Sequence, residues 1–221
     1  MVLPIEGKAL RRIAMMNVVD LFPDLKGTID PRLYQEIEIL EAKPQKRTVR
    51  VKPDWGNETR HYYVGLPYLQ FVRYLQGFFV SASKRPLTVE NIVDDTGLLM
   101  PPLPNIYSDG HVCLSKEAFA LKSTEQAIEF FWHAVFTPDE MTWGGLKDMH
   151  TLYGSWTRWE QRTKQKGLQR LLDEFESPSL SLKHFCINEA ARQKRRMFLE
   201  KEQEEAKKLA EARLSQMIKP D

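Results

Sequence analysis

The 221-residue chain holds only two cysteines, Cys113 and Cys186, too few for a disulfide scaffold. It has no Cys-x-x-Cys pair, and Gly144-Gly145 lacks both the spacing and the Lys-Ser/Thr ending of a phosphate-binding loop. No uninterrupted apolar run approaches the length of a bilayer span. Glu6 and Lys8 interrupt the opening residues, so Met1 to Leu10 does not read as a secretory signal. Neither sign of charge dominates: 32 Lys and Arg against 30 Asp and Glu leave a formal +2. Such a balance exerts no global pull towards nucleic acid or anionic membrane. Repeats at solenoid periods are absent. These absences lead us to expect a cytoplasmic protein with no cofactor, no bound metal, and neither nucleic acid nor membrane as partner.

What is present is an ordinary globular composition, with 42% apolar and 28% charged residues. The length suits one main domain with a core of its own. Leu10, Ile13, Ala14 and Leu21 keep helical spacing and Pro23 stops the run, predicting a first helix over residues 7–22 that exposes Lys8, Arg11 and Arg12. From residue 33 the texture turns to strands: Tyr34 to Leu40, Thr48 to Val51, Tyr62 to Val64, Leu69 to Tyr74 and Phe78 to Ala82. β-Branched and aromatic residues with short connections predict an antiparallel meander of about four strands. Residues 85–112 carry Pro86, Pro101, Pro102 and Pro104, with turn formers at Asn105, Ser108, Asp109 and Gly110, and read as a long loop. Ser123 and Gln126 have capping-box spacing ahead of the stripe Ile128, Phe131, Trp132 and Val135, which predicts a sharp helix start. A second helical region ends in Leu168, Leu171, Leu172 and Phe175, and Ser177-Pro178 marks a boundary. The charged stretch from Asn188 to Asp221 favours a solvated helix. The expected division is therefore a domain over 1–176 and a helical extension over 177–221.

The segment Pro101-Pro-Leu-Pro-Asn-Ile-Tyr-Ser-Asp-Gly-His-Val-Cys-Leu-Ser115 carries the chemistry. Asn105 lies eight residues before Cys113, and a Ser-Asp-Gly turn between them can fold the chain back. A cysteine after such a turn can stay accessible, as a nucleophile must. An amide on the same loop can donate to an oxyanion forming on a thioester carbonyl.

On these residues the chain resembles the ubiquitin-conjugating enzymes, in which a His-Pro-Asn tripeptide precedes the acceptor cysteine. Here the tripeptide is Leu103-Pro104-Asn105; the interval to Cys113, the intervening Tyr107, Asp109 and Gly110, and the pair Cys113-Leu114 agree. The Leu-Pro-Asn form after prolines, with a Phe- and Trp-rich helix downstream, is similar to bacterial relatives such as the PRTRC system protein B family. The resemblance implies an α+β fold, a four-stranded antiparallel meander sheet flanked by helices. It implies a transferase in which Cys113 accepts a ubiquitin-like modifier from an activating enzyme and passes it to an amine or thiol of a target. Asn105 would steady the oxyanion, while Leu103, Pro104, Tyr107 and Asp109 shape the loop. Lys8, Arg11 and Arg12 on the first helix would face the activating enzyme. Two departures stand out: Leu103 replaces the histidine, and Leu114 to Lys122 lacks the usual Trp-Ser-Pro stretch. Asp109 and Glu117 are the candidates for an acidic residue beside the incoming amine.

Other readings compete for the same residues. Cys113 can be a small buried apolar residue and Asn105 an ordinary turn residue. His111, Cys113, His184 and Cys186 form two His-x-Cys pairs that could supply four zinc ligands, though at no known finger spacing. Cys113 with His133, His150 or His184 could be a hydrolase pair. The aromatic cluster from Phe130 to Trp159 reads as core packing. From another class comes a non-catalytic interaction module, with residues 188–221 as its docking arm.

Overall fold

The computed structural model describes residues 10–52, 58–101, 103, 105–112, 121, 123–136, 156–173, 175 and 177–217, with side chains as far as 212. The segment expected as a first helix is mostly extended. It forms β1 (Arg11–Asn17) and then a single helical turn, α1 (Val18–Leu21). Apolar spacing over so short a stretch fits either form, and cross-strand partners decide it. β1 lies antiparallel to β2 (Glu36–Ala42) with Arg11 opposite Glu41 and a bulge between Arg12 and Ala14. Arg11 pairs with Glu41 at 2.7 Å and Arg12 with Glu38 at 3.0 Å. The helical face on which Arg11 and Arg12 were expected to meet a partner is therefore replaced by an edge strand; Lys8 lies outside the described residues.

The main sheet is four-stranded and antiparallel, as expected, in the order β1-β2-β5-β6, with β5 (Tyr68–Tyr74) and β6 (Gly77–Ser83). The strands β3 (Gln45–Val51) and β4 (Arg60–Leu66), which the sequence placed in the same meander, form a separate hairpin. The reason is visible on its outer edge. The helix α4 (Trp156–Gln165) takes the hydrogen bonds that a neighbouring strand would have made. The Tyr63 amide donates to Glu160 Oε1 at 2.9 Å, the Gly65 amide to Thr163 Oγ1 at 2.8 Å, and Trp159 Nε1 to the Gly65 carbonyl at 3.2 Å. Side chains thus satisfy an edge that would otherwise recruit another chain.

The proline-bearing stretch is not wholly irregular. Thr88 and Asn91 form a capping box for the short helix α2 (Val89–Val93), a signal overlooked beside the prolines. The predicted helix after the loop is present as α3 (Thr124–His133), and Ser123 Oγ accepts from the Gln126 amide at 3.2 Å. Phe131 and Trp132 pack edge-on against Phe71 of β5, and Arg47 of β3 stacks over Trp132 at 4.3 Å. The start of α3 is tied to the sheet, with Thr124 donating to Glu38 and Arg73 to the Leu121 carbonyl. After α4 comes α5 (Leu168–Asp173), then α6 (Leu182–Met217), whose 36 residues span about 54 Å. Asp95 Oδ1 accepts from the Leu182 amide and Ser181 Oγ from the His184 amide, which caps α6 where it begins. Its first turns are in the core through Leu182, Phe185, Cys186 and Ala190, whereas residues 198–212 are exposed.

One buried carboxylate joins three parts of this fold. Glu41, 2% exposed, accepts from Arg11 Nη2 and Nε, from Gln70 Nε2 at 3.1 Å and from the Leu87 amide at 3.0 Å. Removing the acceptor strands the Leu87 amide and half of the arginine fork. Glu41→Ala should cost about 3 kcal/mol in urea denaturation, while Glu41→Gln, which keeps an acceptor oxygen, should lose less.

Candidate functional site

The loop leading to Cys113 is a closed hairpin. Asn105 turns the chain with φ +63°, a left-handed conformation that asparagine tolerates better than most residues. Ile106 then pairs antiparallel with Val112. Between them the Gly110 amide donates to the Tyr107 carbonyl and the Tyr107 amide to the His111 carbonyl, both at 2.8 Å. Asp109 Oδ1 accepts from the His111 amide at 3.1 Å, so its side chain braces the turn from within.

The hairpin is fastened to the sheet on one side and to α6 on the other. The Val80 amide donates to the Gly110 carbonyl at 2.9 Å and the Val112 amide to the Phe78 carbonyl at 2.8 Å, extending the free edge of β6. Gly110 makes this approach feasible: its φ is +80°, and a Cβ there would stand 2.2 Å from Phe79 Cε2. From α6, Phe185 lies between the rings of Phe79 and His111, at 5.0 and 6.0 Å. Arg192 donates to Asp109 Oδ2 and to His111 Nδ1, each at 3.2 Å, and reaches Glu189 Oε2 at 3.5 Å. Since a guanidinium only donates, Nδ1 accepts and the neutral ring carries its proton on Nε2. Burial, then the adjacent Arg192 charge, push the imidazole down to about 4, with Asp109 opposing. Burial raises the Glu189 carboxyl, and Arg192 draws it back.

Of the residues picked from sequence, the hairpin brings together Asn105, Tyr107 and Asp109. Asn105 is 4% exposed and Leu103 fully buried in the core, so packing holds position 103 where the resembled family has a hydrogen-bonding ring. Cys113, Pro104 and Glu117 lie outside the described residues. The zinc set is split: His184 is exposed and Cys186 buried, as residues two apart on a helix face roughly 200° away from each other. Burial, with Asp95 and Glu189 nearby, raises the Cys186 thiol and keeps it protonated. Of the hydrolase bases, His133 is bonded through Nδ1 to the Glu129 carbonyl and His184 faces solvent, while His150 lies outside the described residues. Sequence reading passed over Glu189 and treated Arg192 as one of a run of solvated charges. The signal was there in the helical stripe Leu182, Phe185, Cys186, Glu189 and Ala190, cut short by starting the tail at Asn188.

An antiparallel sheet with a helix on its face, and an asparagine-bearing loop leading into a cysteine, is the E2-like arrangement of the ubiquitin-conjugating class. Residues 34–169, well over half of the chain, match prokaryotic E2 family D, and the chain belongs to that family. No curated protein and no solved structure matches it. The family match ends before α6. No helix among the described residues is long and apolar enough to cross a membrane.

Two outcomes follow from this geometry. Gly110→Ala should lose ~3 kcal/mol of stability from backbone strain and the collision with Phe79, read as a lowered urea midpoint. The second concerns acid. As pH falls through 6.5, the ordinary value, the unfolded chain protonates His111, whereas the folded chain resists until about 4. The stability this contributes is present above 6.5 and lost between those limits. Glu189 works in the opposite direction, its contribution being lost as pH rises through its elevated value. Denaturation at a series of pH values should therefore show an acid-side slope in the wild type that His111→Gln flattens.

Proposed function

We propose that this member of prokaryotic E2 family D carries a ubiquitin-like modifier as a thioester on Cys113. The modifier's C-terminal carbonyl arrives as a thioester on an activating enzyme. The Cys113 thiolate attacks that carbonyl, the activating enzyme's thiol leaves, and a target amine or second thiol later displaces Cys113 in turn. Every donor is already activated, so the enzyme has to position reactants and stabilise the oxyanion, and a strong base is unnecessary. The Asn105 carboxamide supplies the stabilising N–H.

One observation carries this reading. Ile106 and Val112 are paired across the hairpin, and these are the residues bonded to Asn105 and Cys113. The two motif residues are thus neighbours in sequence of the two partners of a single bridge. The finer likeness to the PRTRC system protein B family is supported by Leu103 and its prolines. A buried leucine there shapes the loop by packing, without the histidine's hydrogen bonds.

A second reading, the non-catalytic interaction module, is favoured by α6. Its distal part exposes Phe198, Leu199 and Leu209, at 62%, 46% and 55%, as a docking arm would. One assay separates the two. With ATP, the cognate activating enzyme and its modifier, the wild type should give a thiol-sensitive band on a non-reducing gel, and Cys113→Ala should give none. Asn105→Gly keeps a residue at ease with positive φ but removes the amide, and should slow loading about a hundredfold. No band from the wild type with authenticated partners leaves only the module.

A further inference from the structure

The contact between α6 and the loop is made by a helix beyond the segment that matches the family. Its charged members are Asp109 and His111 from the hairpin, and Glu189, Arg192 and Arg196 from α6; the facing stretch of β6, Gly77 to Val80, adds none. Asp109 and Glu189 present two carboxylates to the same guanidinium. An isolated surface ion pair would contribute little, and the Arg192 side chain is 45% exposed. This pair is not isolated. Glu189 is 3% exposed, Phe185 fills the space between β6 and His111, and Gly77 leaves room for both, since a Cβ there would stand 2.9 Å from each. The hairpin turn and α6 meet at one arginine, beside Phe185 packed on β6.

We propose that Arg192 is a positioning residue for Cys113, clasping the Tyr107–Val112 turn to α6 and thereby holding the chain from which the reacting thiol departs. The inference rests on the carrier reading for the role of that thiol, and on geometry alone for the clasp. Val112, whose amide is bonded to Phe78, is covalently joined to Cys113, so whatever holds the turn sets where the next Cα, about 3.8 Å on, begins. The planar fork reaches Asp109, His111 and Glu189 together; a lysine ammonium on the same helix satisfies the charge but not all three directions.

The test uses the full chain as wild type, Arg192→Lys and Arg192→Met. In the wild type, NMR titration of His111 should give a midpoint of about 4. In Arg192→Met that midpoint should rise while burial still holds it below 6.5, with Arg192→Lys between. Amide exchange at Val80 and Val112 should quicken about tenfold in Arg192→Met while β2 and β5 keep their protection. Cys113 should react faster with iodoacetamide, a small probe, yet load more slowly from the activating enzyme, with the rate at saturation falling about tenfold and KM unchanged. A wild-type His111 midpoint near 6.5 overturns the clasp, and so does an Arg192→Met protein with unaltered titration and exchange. A broken clasp with unchanged alkylation and loading overturns the positioning role while leaving the carrier reading intact. If no form loads, the carrier reading falls, and titration, exchange and alkylation still decide the clasp. Should Arg192→Met fail to fold, the wild-type titration and the same measurements on Arg192→Lys decide both the clasp and the positioning role.

Discussion

Two backbone hydrogen bonds, from the Val80 amide to Gly110 and from the Val112 amide to Phe78, tie the loop ahead of Cys113 to the edge of the sheet. Among the described residues the hairpin pairs with itself through one bridge, Ile106 to Val112, and builds no longer ladder. It borrows one from β6, all seven residues of which are buried. The borrowing sets the rest. Glycine is required at 110 by backbone and Phe79 together, Asn105 must reverse the chain early enough for Ile106 to face Val112, and the covered side of β6 must be sealed by another element. That element is the first part of α6.

Two buried acids are handled alike. The buried carboxylates Glu41 and Glu189 each face an arginine whose stem reaches solvent, Arg11 in one case and Arg192 in the other. An acid left alone at either depth would have to take up a proton or stay desolvated. Pairing it with a half-exposed guanidinium meets the hydrogen-bond demand while close to half of the cation's surface stays in water. Both pairs also join distant segments: β1 to β2 and the Leu87 stretch at one end, the hairpin to α6 at the other. The near-neutral composition, featureless as a whole, is concentrated at specific junctions.

Much of this could be read from the residues. Ser123 and Gln126 announced the start of α3, β5 and β6 showed the expected β-branched and aromatic runs, and the Asn105 to Gly110 turn was legible from its residue types. Family resemblance over residues 101–115 pointed to the class that the match over 34–169 then established. Local periodicity failed where it was short. Leu10 to Leu21 fitted a helix by spacing, yet Arg11–Asn17 form β1 because β2 offers them a backbone ladder, with Glu41 and Glu38 as partners for Arg11 and Arg12, and only Val18–Leu21 is helical. Glu189 hid in a charged helix because a buried acid interrupts an apolar stripe that is otherwise regular.

The order of residues by itself determined the α+β class, the strand-rich middle, the capped helix after the loop and the motif joining Asn105 to Cys113, since each depends on contacts within a few positions. Tertiary structure alone decided that β1 completes the sheet, that β3 and β4 stand apart, and that Arg192 closes over Asp109 and His111. Those outcomes rest on partners up to 98 residues distant. Nothing in local propensity encodes which buried acid an arginine will meet, because that is settled only when packing removes the water that would otherwise have satisfied both.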